Sequence, residues 1–244
     1  MNIALISGAS SGMGLEFARL VDKENLDEIW LIARSEEKLI NLSKELNTKT
    51  KILPYDLCDF SCFGEIEKLF SDETNIKYLI CSAGVGFNGK VEDISSENIE
   101  KMINLNCSAL SVLTRICLPY MKEGSRIIEI SSGAGFMPQP GFSVYAATKA
   151  YVISFSRALR QELRPKKISV TAVCPGPVDT NFFASLEGVK EYKKKFLISA
   201  EKVAKGAMKA AKKKKAIYSP TFSMKMAHLS SKIVPISLIM KFYK

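Results

Sequence analysis

The chain has 244 residues, 47% hydrophobic and 25% charged, with a formal net charge of +10. That suits one large α/β domain with a sizeable core, and the composition is neither that of a disordered chain nor of a fibrous one. The charge is lopsided: fifteen lysines and two acids lie between Lys190 and Lys244, so the remainder is slightly acidic. A lysine run such as 212–215 reads as a solvated face. An anionic membrane surface or an acidic partner is the sharper alternative, and nucleic acid is not expected. Six cysteines without a Cys-x-x-Cys pair read as buried reduced thiols. A single histidine, His228, leaves too little for a histidine metal site or triad, so no metal is expected. The chain opens directly on an apolar run with no leader pattern, and no apolar run reaches about 18 residues, so it reads as cytoplasmic.

In chain order, "NIALIS" (2–7) reads as a strand and a helix follows over 12–24. Further strands are "EIWLIA" (28–33), "TKILPY" (50–55), "YLICSA" (78–83), "SRIIEIS" (125–131) and "ISVTAVC" (168–174), with "AIYSP" (216–220) a weaker seventh. Helical patterns cover 35–46, 59–73, 96–121, 145–164 and 200–213. The strands are short, rich in Ile, Val and Leu, and nearly continuous, the pattern of parallel strands buried on both faces. Strand–helix alternation then gives a single α/β domain, a doubly wound parallel sheet of about seven strands with helices on both faces. Residues 1–220 are expected to form this α/β unit, with 221–244 a basic amphipathic extension of it. The connection 175–199 opens with Pro-Gly-Pro, carries Phe182, Phe183 and Phe196, and reads as a lid.

"GASSGMG" (8–14) stands between the first strand and the first helix. Glycines there allow a tight turn and close backbone approach to a pyrophosphate, and the helix N-terminus offers free N–H groups. Gly8, Ser10, Ser11, Gly12, Met13 and Gly14 are therefore candidate cofactor residues. The second strand ends without an acid and runs into Arg34 and Ser35. A guanidinium and a hydroxyl suit a 2′-phosphate, so NADP(H) is expected over NAD. Alternatively, Arg34 merely caps a solvated turn.

With "DL" (56–57), "SAG" (82–84), "NLNCSAL" (104–110), "ISSGAG" (130–135), "YAATK" (145–149) and "PGPVDT" (175–180) in that order, the chain resembles the classical short-chain dehydrogenases/reductases over residues 2–220. The resemblance implies a Rossmann-type fold and a catalytic tetrad of Asn106, Ser132, Tyr145 and Lys149. Ser132 is chosen over Ser131, and Asn106 over Asn104, by the family's spacing. It also implies that Asp56 and Leu57 lie at the adenine, and that Ala83 and Gly84 let backbone approach the cofactor. Pro175, Gly176, Val178 and Thr180 meet the nicotinamide end, and Tyr145 and Lys149 face its ribose. One departure is Cys81-Ser82 where the family commonly has two asparagines; Ser82 is expected to take over some of their hydrogen bonds. A homodimer or homotetramer is implied, with helix 96–121 as an assembly face.

Taken alone, Tyr145 and Lys149 at i, i+4 could be two solvated side chains on one helix face. In the company of Ser132 and the glycine loop they read as a proton donor and the cation that lowers its pKa, by roughly 1–3 units. Ser132 would polarise a carbonyl oxygen, and Asn106 would anchor a water relaying protons to Lys149. The expected reaction is reduction of a ketone or aldehyde, or its reverse, by hydride transfer. Alternatives are a 3-ketoacyl reductase, a non-catalytic NADP sensor, and a membrane or scaffold protein working through its tail. Phe136, Met137, Phe142, Phe182 and Phe183 suggest an apolar substrate or else belong to the core. The tail, if helical and broken near Pro235, packs over the pocket, contacts a subunit, or docks on a membrane surface.

Overall fold

Each short apolar run becomes a strand because both of its faces meet a layer of helices. The computed structural model describes residues 1–184 and 197–241. Its strands are β1 (Asn2–Ser7), β2 (Glu28–Ile32), β3 (Thr50–Leu53), β4 (Asn75–Cys81), β5 (Arg126–Ile130), β6 (Ser169–Val173), β7 (Val178–Asp179), β8 (Ile198–Ser199) and β9 (Ile217–Tyr218). Seven of them form one parallel sheet in the order β3-β2-β1-β4-β5-β6-β9. The weak seventh strand of the sequence reading is thus real, shortened to two residues on the sheet edge. β7 and β8 pair separately.

The helices are α1 (Gly12–Val21), α2 (Glu36–Glu45), α3 (Cys62–Lys68), α4 (Ser96–Ile103), α5 (Leu110–Cys117), α6 (Ser143–Glu162), α7 (Asn181–Ala184), α8 (Ala200–Lys212), α9 (Phe222–Ile233) and α10 (Ile236–Met240). Alternate residues of β1 divide the core. Ile3 and Leu5 pack with Ile66 of α3, Leu113 of α5 and Val152 of α6. Ala4 and Ile6 pack with Phe17 of α1, Leu39 of α2 and Ala207 of α8. Burying each such Ile or Leu contributes about 1.5–3 kcal/mol, which makes the sheet, covered on both faces, the frame for everything else. The expected lid lies partly outside the described residues: Phe196 and all four of its lysines fall there.

Two helical expectations are corrected. The helix expected over 59–73 begins only at Cys62, because the Asp59 carboxylate accepts from the Ser61 amide (3.0 Å) and hydroxyl (2.7 Å) and holds a turn there. The run expected over 96–121 is continuous but contains a π-helical turn, Asn104–Ala109. By length and hydropathy, Ser96–Tyr120 could cross a bilayer, contrary to the sequence expectation. Here it is a core helix, with Leu110, Leu113, Ile116 and Cys117 buried against the sheet.

All six cysteines are free thiols. Burial raises the pKa of Cys62 to about 11 and of Cys174 to about 12. Cys58 is also raised, by burial first and then by the Asp56 charge.

One carboxyl group is wholly enclosed by the core. Glu129 of β5 is fully buried, hydrogen-bonded by the Ser156 hydroxyl of α6 and approached by the Thr114 hydroxyl of α5. Burial pushes its pKa from 4.5 up to about 7, the two hydroxyls pulling partly back. The folded state keeps this proton to higher pH than the unfolded chain, so the associated stability is present below about 4.5 and lost as pH rises through 7. Glu129→Gln should therefore raise the thermal midpoint relative to wild type near pH 8, by several degrees, with the difference shrinking toward zero near pH 5. Equal midpoints of the two proteins at both pH values would contradict this.

Candidate active site

The sheet order reverses direction at β1 and β4, whose carboxyl ends part and leave a crevice. β1 ends at Ser7, opposite Ile32 of β2 and Cys81 of β4. The chain then turns through Gly8, which has φ +69 and abuts the Ser82–Ala83 backbone so closely that a Cβ would meet Ala83 N at 2.7 Å. At Gly14 a side chain would run into the Gly8 carbonyl. Gly14 thus lines no cleft; it lets α1 start hard against the turn. The α1 N-terminus has neither a side-chain cap from Ser11 nor an acid in its first turn. Its leading N–H groups are therefore open to an anion.

A cleft of about 1490 Å³ lies over this crevice. Gly8, Ser10, Ser11, Gly12 and Met13 line one end, with Asp56 and Leu57 beside them. Arg34 and Ser35 line it where β2 gives way to α2, and Lys38 joins them. Lys38 was not singled out from sequence; its place one turn beyond Ser35 on α2 was the available signal. Pro175, Gly176, Val178 and Thr180 also line the cleft, with the Thr180 methyl close to Gly12. This donor set fits a dinucleotide: an uncapped helix N-terminus behind a glycine turn, and two cations, Arg34 and Lys38, where β2 gives way to α2.

The floor is built by three elements meeting. Beyond β5, the Ser131 hydroxyl donates to the Lys149 carbonyl at 2.7 Å and is directed into α6. Ser132 starts a short turn, its hydroxyl accepting from Ala134 N at 3.1 Å. Tyr145 and Lys149 lie one turn apart on α6, both almost fully buried. The Lys149 ammonium donates to the Ile130 carbonyl at 3.0 Å and stands 5.6 Å from the Tyr145 ring centre. Phe142 stacks on the Tyr145 ring at 4.3 Å, and Phe182 tilts against it at 5.5 Å.

A family model described as short chain dehydrogenase matches residues 2–190. The chain belongs to the short-chain dehydrogenase family. An uncharacterized oxidoreductase of Staphylococcus epidermidis is 32% identical over 181 residues, 73% of this chain and 78% of that protein. The very-long-chain 3-oxoacyl-CoA reductase of Anas platyrhynchos is 34% identical over 194 residues, 72% of this chain and 60% of that protein. Among solved structures, a short-chain dehydrogenase from Sphingobium yanoikuyae in complex with NADPH matches with a TM-score of 0.82 at 25% identity, covering 99% of this chain and 96% of that one.

In this short-chain dehydrogenase the electrostatics of the tyrosine–lysine pair depart from the sequence expectation. Burial raises the Tyr145 phenol to about 12, and hydrogen bonding with Ser132 only partly opposes it. Burial also lowers Lys149, to about 8. The two residues do project together, but desolvation outweighs any help the ammonium gives the phenolate, because each charge is removed from water.

Asn106 sits in the π-helical turn, which turns its side chain toward the end of β4. It accepts from Val85 N at 2.9 Å and donates to Val85 O at 2.8 Å and the Thr148 hydroxyl at 3.0 Å. Its side chain therefore ties the loop after β4 to α6. The substitution of Cys81-Ser82 for the family's asparagines is also resolved differently from expectation. The Ser7 hydroxyl, and not the Ser82 one, accepts from the Ser82 amide (3.1 Å) and the Ala83 amide (3.2 Å). Ser7→Ala should strand both amides, lowering unfolding free energy by about 1–3 kcal/mol and weakening binding of a nicotinamide dinucleotide. Urea denaturation and fluorescence titration check this, and unchanged values would show that the tie is dispensable.

Proposed function

We propose that this short-chain dehydrogenase is an NADP(H)-dependent oxidoreductase that reduces a ketone or aldehyde to an alcohol, or runs the reverse, with Tyr145 as the acid/base. The observation carrying the reading is the meeting of Ser132, Tyr145 and Lys149 at the floor of a cleft whose far end presents the α1 N-terminus, Arg34 and Lys38. Bound nicotinamide supplies or accepts the hydride. The protein handles the oxygen. As the carbonyl becomes an alkoxide, Tyr145 gives it a proton and the Ser132 hydroxyl donates a hydrogen bond to it. Lys149, with a pKa of about 8, can return a proton to Tyr145 near neutral pH. Asn106 acts as a positioning residue, holding the β4 loop against α6. Phe142 and Phe182 around the phenol support an apolar carbonyl substrate.

A second reading, reduction of a 3-oxoacyl thioester, is favoured by the similarity to the 3-oxoacyl-CoA reductase and by a cleft large enough for an extended acyl group. Exposed Tyr151, stacked on Phe155 along α6, supports assembly of two copies through the α5–α6 face.

Tyr145→Phe should reduce turnover at least about 100-fold while leaving NADPH affinity unchanged; full turnover would remove Tyr145 from the chemistry, and a wild type that binds NADPH without turning over any carbonyl would favour a sensor. Arg34→Asp should lower the NADPH-to-NADH ratio of kcat/KM by about 10- to 100-fold, since charge-assisted hydrogen bonds to the phosphate are lost. An unaltered ratio would refute the NADP assignment.

A further inference from the structure

α9 faces two ways. On one side Met224 packs against Gly133 and Gly176, and His228 stacks on Phe136 at 4.6 Å, so the helix lies over the cleft wall. On the other side Phe222, Met226, Leu229 and Ile233 are 76%, 43%, 50% and 70% exposed. Beyond Pro235 the pattern continues with Ile236 at 53% and Leu238 at 47%. At about 100° per residue the four α9 side chains fall within one narrow stripe, on the face opposite Met224 and Ser231. Lys225 and Lys232, both exposed, run along one border of that stripe. Six large apolar side chains are exposed within seventeen residues, a concentration of the kind that marks an interaction surface.

The charge around the stripe selects its occupant. From Thr221 to Lys244 the sequence has four lysines, Lys225, Lys232, Lys241 and Lys244, and no acid. A second copy meeting this face about a two-fold axis would set lysine against lysine with no carboxylate in the segment to offset them. A neutral partner leaves the lysines without a role. An anionic phospholipid surface satisfies both halves of the pattern, taking the apolar stripe among its acyl chains and the ammonium groups at its headgroups. α9 has 12 residues and is too short to span, so it would lie in the plane of the interface. We propose that α9 and α10 dock this dehydrogenase on an anionic membrane surface. Phe222 both heads the stripe and lines the cleft, so docking brings the cleft mouth to the bilayer. The docking stands on the helix face alone and does not depend on the reaction assigned to the cleft.

The test is co-sedimentation of the full chain with vesicles of phosphatidylglycerol and phosphatidylcholine, against phosphatidylcholine alone, at low and high salt. Binding should require the anionic lipid and weaken severalfold as salt screens the headgroups. Leu229→Ser/Ile233→Ser, at two exposed positions outside the cleft lining, should weaken vesicle binding at least about ten-fold with the thermal midpoint and NADPH affinity unchanged. Absence of binding to anionic vesicles at low salt overturns the proposal. So does binding that the serine pair leaves intact, which would reduce it to adsorption by the lysines alone. A wild-type oligomer that the serine pair dissociates in light scattering, without vesicle binding, assigns the face to a second copy and overturns it as well.

Discussion

The site depends on a single buried cation being held in place. The Lys149 ammonium is almost out of reach of water, and its bond to the Ile130 carbonyl joins the end of β5 to the middle of α6. The Ser131 hydroxyl closes the same junction from the other side by donating to the Lys149 carbonyl. Together they fix the rotation of α6 about its axis. That rotation decides that Tyr145, one turn earlier, faces the cleft and not the core. A buried ammonium without a partner is costly enough that this arrangement is strongly specified.

The second constraint is the approach of the glycine turn to the loop after β4. Gly8 leaves no space for a side chain against Ala83, and the Ser7 hydroxyl stitches that loop from beneath. Asn106 then fastens the following residue, Val85, to α6. Glycine turn, β4 loop and α6 therefore form one connected unit in which the two ends of the cleft are positioned relative to each other.

Much of this was legible in the sequence. Nearly continuous Ile, Val and Leu runs could be nothing but strands covered on both faces, and the ordered motifs located the residues of the cleft. Other parts were not legible. A π-helical turn leaves the hydrophobic pattern of 96–121 almost unaltered, so Asn106 could be picked out without its orientation being known. Ser7 reads as the last residue of a strand, and only the neighbouring loop gives its hydroxyl a task. Lys38 sits in an ordinary helical pattern between two glutamates and two apolar residues. For the tyrosine–lysine pair, helical spacing gave proximity correctly but carried no information on how far both groups are withdrawn from water. The lysine and apolar pattern of the tail allows a helix broken near Pro235, and α9 and α10 flank that residue; which of its faces would be covered depends on tertiary packing.

The thiols have a consequence for the compounds that enter. Cys58 lines the cleft, with its pKa raised by burial and by Asp56. Carbonyl compounds, conjugated ones above all, are electrophiles, and a thiolate beside them would capture them as covalent adducts. A raised pKa leaves less of the Cys58 sulfur as thiolate and so slows its attack on such guests.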